Sequence, residues 1–254
     1  MKIVIIGSGN VASHIAPALH RAGHNIVQIF SPTPEHAQTL AAVTGSDAIS
    51  DIRNIDTTAQ CYIYSVLDDV LPSVIGAMPA LPNAVHLHTA GSMDINLFER
   101  YQQRYGVLYP MQTFSKNVEV DLCTTPFFIE GNDQQTQDTA LQLARQLSHR
   151  VICATTAQRT QLHIGAVFAS NFTNHLYAMC HDILDAAGLP FDVMLPLIDA
   201  TAKKIHTLEP HKAQTGPAAR HDKKVMEKHI AALTNDTHKK IYKLLSDSIE
   251  QSAE

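Results

Sequence analysis

A chain of 254 residues with 45% hydrophobic content is long enough for one large domain or two modest ones, each with a real core. A formal net charge of −5 without interleaved aromatic and basic residues argues against nucleic acid, and no apolar run reaches bilayer-spanning length. Four scattered cysteines, Cys61, Cys123, Cys153 and Cys180, exclude a disulfide scaffold; the 15 histidines show no zinc-type spacing, so no metal site is expected.

The first element is a short apolar strand, Lys2 to Ile6, and because folded structure begins at once, without a leader pattern, a cytoplasmic location is expected. The strand runs into Gly7-Ser8-Gly9-Asn10-Val11-Ala12 and then a helix to about Arg21. In this G-x-G-x-x-A spacing Gly7 makes the tight turn, Gly9 leaves room for a pyrophosphate, and Ala12 lets helix and strand pack closely. The helix start offers N–H groups and a positive dipole end to phosphate, so Gly7, Ser8, Gly9, Asn10 and Val11 form a candidate dinucleotide site. The second strand, Asn25 to Phe30, ends without the carboxylate that would bind a ribose 2′-OH. Ser31, Thr33 and His36 stand where a 2′-phosphate would lie, which favours NADP over NAD, although no arginine is there to clinch it.

Downstream, Pro34 to Val43 reads as a helix, Asp47 to Ile49 and Cys61 to Val66 as strands, Val70 to Met78 as a helix, and Ala84 to His88 as a fifth strand. Strands alternating with helices predict right-handed βαβ units and a mostly parallel sheet, an α/β Rossmann-type domain. Ligands bind such sheets beyond the strand C-termini, so the loops with Val66 and Leu67 and with Thr89, Gly91 and Ser92 should face the crevice of the glycine turn. Gly106 to Tyr109, Phe127 to Glu130 and Arg150 to Cys153 extend the sheet, with Asp133 capping a helix that ends near Ser148. The loop Tyr109-Pro110-Met111-Gln112-Thr113-Phe114-Ser115 is rich in groups that hydrogen-bond and stack; it is either part of the site or a cover for the sheet edge.

From Ala154 the pattern turns all-helical. Thr155 and Gln158 form a capping-box signature, and one long helix is expected to run to Gly188. On it His163, Val167, Asn171 and Asn174 share a face at α-helical spacing. The polar members are either structural hydrogen-bonding staples or the wall of an interdomain cleft, where His163 could exchange protons. Helices follow at about Val193 to Thr207, Pro217 to Leu233, and from a Thr237 cap to about Ser252. Thr215-Gly216-Pro217 puts proline at a helix start beside Arg220, a corner suited to a carboxylate or phosphate oxygen, or else a plain helix start with an Arg220 to Asp222 surface pair. Ten of the 19 basic residues lie beyond residue 199 against seven of the 24 acids, leaving that end mildly basic. The division expected is residues 1–153 for NADP binding and residues 154–254 for a helical substrate and dimerisation domain.

With these residues in view, the chain resembles the Rossmann-like proteins that carry a helical C-terminal domain of unknown function numbered 2520, described as NADP oxidoreductases. The motifs are GSGNVA, HTAGS at 88–92, LYPMQTFSK at 108–116, LHIGAVFASNFTNHL at 162–176 and QTGPAARHD at 214–222. More distantly it is similar to pyrroline-carboxylate reductase, ketopantoate reductase and prephenate dehydrogenase, in which the nicotinamide lies between the Rossmann domain and the first long helix. It departs from them where hydroxyacid dehydrogenases place a lysine one turn before an asparagine, since Val167 precedes Asn171, and where prephenate dehydrogenases have His-Pro-Met, since Tyr109 stands first.

The resemblance implies hydride transfer between NADP(H) and a small, anionic oxo, imino or hydroxy compound. His163 is then the proton donor, Asn171 and Asn174 orient the carbonyl or imine, and Val66, Leu67, Thr89 and Gly91 flank the nicotinamide ribose. Ser92, Tyr109, Gln112, Thr215 and Arg220 are the candidate substrate-binding residues. Related reductases pair through the helical domain, and about 100 helical residues bury little core alone, so a homodimer is expected. The alternative is an NADP(H)-binding sensor without turnover.

Overall fold

The computed structural model describes residues 1–252, which divide into two compact units, Met1–Ser170 and the residues from Asn171 onward. The first unit contains β1 (Lys2–Ile6), α1 (Ala12–Arg21), β2 (Asn25–Phe30), α2 (Pro34–Thr44), β3 (Asp47–Ile49) and β4 (Cys61–Tyr64). It continues with α3 (Leu71–Ala77), β5 (Val85–His88), β6 (Arg104–Pro110), β7 (Phe127–Gly131), α4 (Gln134–Leu147), β8 (Val151–Cys153) and α5 (Thr156–Ala166). The strands form one sheet in the order β3-β2-β1-β4-β5-β6-β7-β8. Pairing is parallel as far as β6, antiparallel between β6 and β7, and parallel again between β7 and β8.

Both faces of the sheet are covered, which is why its central strands are continuous apolar runs. Along β1 the side chains alternate: Ile3 and Ile5 enter a core with Ile15 and Leu19 of α1, Leu40 of α2 and Leu143 of α4. Val4 and Ile6 enter the opposite core with Leu71 and Ile75 of α3 and with Phe98. The helices end where the sequence dictates: Gly45, at φ 65°, closes α2 in the left-handed conformation, and the Asp133 carboxylate accepts from Thr136 N at 2.7 Å to start α4. The chain leaves β1 toward β2 and β3, then crosses to set β4 on β1's other side. The strand order therefore reverses between β1 and β4, the switch point at which doubly wound sheets open a crevice.

The capping box at α5 is present, with Gln158 N donating to Thr155 Oγ1 at 3.3 Å and Thr155 N to Gln158 Oε1 at 2.9 Å. The single long helix expected after it is interrupted. A π-helical segment, Val167–Phe172, separates α5 from α6 (Thr173–Ala186). A π turn carries an extra residue, so the α-helical spacing that aligned His163, Val167, Asn171 and Asn174 does not hold across it. α5 lies within the first unit, which runs to Ser170.

The second unit contains α6, α7 (Leu195–Lys204), α8 (Pro210–Ala213), α9 (Lys223–Ala232) and α10 (Asp236–Ser252). Two helix starts differ from expectation. His221 takes a left-handed φ of 53°, so Pro217 opens only a short 3-10 turn and α9 begins at Lys223, where Asp222 accepts from Val225 N at 3.2 Å. Asp222 is thus a helix cap. The last helix is capped by Asn235, whose side chain accepts from Thr237 N at 2.8 Å and His238 N at 3.2 Å, because it lies two residues upstream of the expected Thr237. Among the described residues no helix is long and apolar enough to cross a membrane.

Candidate active site

The glycine turn is held from both sides: Gly7 N donates to Phe30 O of β2 at 2.8 Å, and Ser65 N donates to Ile6 O at 2.7 Å. Gly7 has a φ of 113°, and a Cβ there would run into the carbonyl of Ser65, so conformation and space both demand glycine. At Gly9 a Cβ would find only Ser65 O, at 4.0 Å, so the backbone is open to a ligand. Val11, before the first residue of α1, provides no side-chain cap, while Ser13 Oγ and His14 Nδ1 lie 2.8 Å from the carbonyl of Asn10. Ala12 is buried against the sheet, and Ser8 is buried while Asn10 is exposed. A cradle closed to any larger residue at Gly7 and open at Gly9, with an uncapped helix start behind it, fits a dinucleotide pyrophosphate.

At the end of β2, Ser31 is buried and its Oγ accepts from Thr33 N at 3.3 Å, so this hydroxyl shapes the turn. Thr33 is exposed, and no side chain caps the start of α2 behind it.

The neighbouring strand ends are tied to the same turn. Thr89 N donates to Tyr64 O at 3.0 Å, and its Oγ1 donates to Ser65 Oγ at 3.2 Å. Val66 is half-buried and Leu67 is 77% exposed. Ser92 Oγ donates to Asp68 Oδ2 at 3.4 Å, joining the loops after β4 and β5. Gly91 lies directly against two candidate side chains: a Cβ there would sit 2.7 Å from Tyr109 Cζ and 2.9 Å from His163 Nδ1. Tyr109, from the end of β6, is buried and its phenol oxygen lies 3.3 Å from His163 Nδ1 on α5, with the rings edge to face. Burial pushes the Tyr109 phenol up from its ordinary range; the Arg159 cation pulls it down and the Asp68 carboxylate adds a further push upward.

Of the expected residues, Tyr109, Gly91 and His163 thus meet in the first unit. Gln112 is occupied locally, its Oε1 accepting from Thr113 N at 2.8 Å. The rest of its loop folds onto α1, with Phe114 at 5.2 Å from the ring of His14 and His14 Nε2 at 3.0 Å from Val118 O. Asn171, Asn174, Thr215 and Arg220 are exposed members of the second unit. Two polar groups escaped the sequence reading: Arg159, fully buried, and its half-buried partner Glu130, at 2.7 Å. The signal was available, since Arg159 stands four residues before His163 and shares its face of α5.

Comparison with known proteins agrees with this architecture. The family model described as NADP oxidoreductase, coenzyme F420-dependent, matches residues 2–86, and the model of the domain of unknown function DUF2520 matches residues 125–249. A solved structure described as a putative NADP oxidoreductase from Bacteroides fragilis is 44% identical, covers 98% of each chain and superposes with a TM-score of 0.90. A Thermotoga maritima protein is 21% identical over 99% of both chains with a TM-score of 0.81. The 1-pyrroline-5-carboxylate reductase of Streptococcus pyogenes shares the fold at 16% identity, with a TM-score of 0.65 over 99% of this chain and 98% of that one. No curated protein matches the chain. With a glycine cradle at the head of a doubly wound sheet, both family models in sequence and a 44% identical relative along its length, the chain belongs to the NADP oxidoreductase family whose members end in the DUF2520 domain.

Proposed function

We propose that the protein transfers a hydride between NADP(H) and a small oxo, imino or hydroxy compound, and that Tyr109 and His163 handle the accompanying proton. The observation that supports this most is the Tyr109–His163 couple, 3.3 Å apart and pressed against Gly91 at the sheet edge where the glycine turn opens. Gly7, Ser8, Gly9, Asn10 and Val11 would hold the pyrophosphate, Thr33, with Ser31 beneath it, would face the 2′-phosphate, and Val66, Leu67, Thr89 and Gly91 would flank the nicotinamide ribose. The bound cofactor supplies the hydride. A phenol kept protonated by burial suits the role of proton donor, and an imidazole in contact with it can return the proton. Ser92, next to Gly91, and Gln112, three residues after Tyr109, are assigned to the substrate.

The test is NADPH oxidation against a panel of oxo acids, hydroxy acids and cyclic and open-chain imines, the cyclic imines included because the Streptococcus pyogenes relative is a pyrroline-carboxylate reductase. Tyr109→Phe and His163→Gln are each expected to lower kcat by about a hundredfold; unaltered turnover in both removes the couple from the reaction. NADPH binding without turnover of any compound would favour the sensor. Asn171→Ala and Arg220→Ala test the contribution assigned to the helical unit through the KM of an anionic substrate.

We further propose that the second unit pairs with a second copy of the chain. Among the described residues its buried apolar side chains are Met179, Leu184, Ala218 and Met226, whereas Leu189, Val193, Leu197, Ile205 and Leu244 are each more than half exposed. So much exposed apolar surface on a small helical unit marks an association face. Sedimentation of wild type as a dimer and of Leu197→Glu/Leu244→Glu as a monomer is expected; a monomeric wild type contradicts the pairing.

A further inference from the structure

Arg159 is fully buried on α5, and its guanidinium makes six hydrogen bonds. Nε and Nη2 donate to Glu130 Oε2 at 3.1 and 2.7 Å, and Nη2 also donates to Thr156 Oγ1 at 2.9 Å. Glu130 Oε1 accepts from Thr156 N at 2.9 Å, so the carboxylate fastens the first turn of α5 to β7. Anchoring the helix would need no more than this.

The remaining nitrogen, Nη1, reaches to the loop after β5 and donates to the carbonyls of Ala90, Gly91 and Met93 at 3.3, 3.0 and 3.1 Å. Gly91 is therefore fixed on one side by Arg159 through its carbonyl and faces Tyr109 and His163 on the other. Every nitrogen of the guanidinium is engaged inside the protein, which leaves Arg159 unsuited to bind a substrate anion and suited to hold backbone in place.

We propose that Arg159, anchored by Glu130, is the positioning residue of this site: it sets the distance between the Ala90–Met93 loop and the Tyr109–His163 couple without touching substrate. This rests on the hydride-transfer reading above. Four residues apart on one helix, Arg159 and His163 move together, so a shift of the arginine displaces loop and imidazole at once. The charged and titratable groups that act on Tyr109 are Arg159, Asp68 and His163, and of these Arg159 is the cation that opposes the effect of burial.

Two variants separate positioning from folding. Arg159→Lys keeps a cation for Glu130 but has a single nitrogen and cannot span carboxylate and loop together. Arg159→Met paired with Glu130→Gln leaves neither charge buried without its partner. Each is measured for NADPH affinity, for kcat and KM, and by spectrophotometric titration of the Tyr109 phenol, assigned by difference from Tyr109→Phe.

The expected result for both is an NADPH Kd within about threefold of wild type, with kcat lower by roughly tenfold to a hundredfold and KM changed less. In the paired variant the phenol should also ionise at higher pH. Unchanged kcat with an unchanged titration would overturn the proposal, and so would a parallel loss of folding, cofactor binding and kcat in both variants, which marks a purely structural residue. If the wild type turns nothing over, the hydride-transfer reading fails and the phenol titration alone decides. If the paired variant does not fold, Arg159→Lys decides, through kcat where there is turnover and otherwise through exchange of the Ala90 amide, which donates to His88 Nδ1. Faster exchange there, with the Gly7 amide unchanged, supports the proposal; equal exchange overturns it.

Discussion

Replacing Gly91 by alanine adds one methyl group at the point where the loop after β5 meets the proposed proton couple. That carbon would lie 2.7 Å and 3.0 Å from Tyr109 Cζ and Cε2 and 2.9 Å from His163 Nδ1, whereas ordinary contact begins near 3.4 Å. The tyrosine or the loop must therefore give way by about 0.7 Å. Neither yields freely, because Tyr109 is buried against Phe128 and the Gly91 carbonyl is held by Arg159 at 3.0 Å. Overpacking of this size costs about 1–3 kcal/mol. Gly91 does not occupy the left-handed region, so the loss measures crowding alone. Displacement by this amount also carries Tyr109 out of hydrogen-bonding reach of His163, now 3.3 Å away, and a misplacement on the order of 1 Å can lower turnover up to a hundredfold. Urea unfolding gives the stability change, and steady-state kinetics beside an NADPH titration give the rest: kcat should fall with cofactor affinity changed less. A Gly91→Ala protein as stable and as active as wild type would refute the close packing of this loop against the couple.

Gly7→Ala should lose about 2 kcal/mol or more and most NADPH affinity, because the φ of 113° and the Ser65 carbonyl both oppose a side chain; fluorescence titration checks this. Thr33→Glu places a carboxylate at the end of β2 and should weaken NADPH by about tenfold while leaving NADH unchanged or improved, as competition binding would show. Burial holds His86 down to about 4 and His88 to about 3, the latter helped by the Arg159 cation, against an ordinary 6.5. The unfolded chain takes up these protons first, so stability is full above pH 6.5 and falls as pH drops toward 4. The loss is at most about 3 kcal/mol from His86 alone, at 1.4 kcal/mol per unit. Denaturant unfolding between pH 7 and 4 measures it; a flat profile would contradict the neutral burial of both rings.

The sheet was legible because each strand announces itself as a short apolar run bounded by turn residues. The alternating burial of Ile3, Val4, Ile5 and Ile6 on two faces follows from the pleat. Gly7 could be assigned a turn from its spacing alone. Gly91 could not, since its constraint comes from two side chains far along the chain, Tyr109 and His163. The π segment within the long helix was hidden for another reason: Val167–Phe172 contains neither proline nor glycine, and a π turn leaves no compositional mark. Arg159 went unremarked because a charged residue on an amphipathic helix ordinarily faces solvent, and its burial depends on Glu130 reaching it from β7. The cap Asn235 lay two residues from the expected Thr237, a margin that propensity does not resolve, whereas Asp222 caps α9 five residues beyond the expected start at Pro217, displaced by the left-handed His221.

The account stands on a glycine cradle that admits a phosphorylated nicotinamide cofactor, and calorimetric titration of NADPH into wild type and into Gly7→Ala tests it most directly. One site per chain in the wild type, favoured at least about tenfold over NADH and lost in the variant, is the predicted result. No heat of binding for either cofactor, or equal affinity in the two proteins, would contradict it.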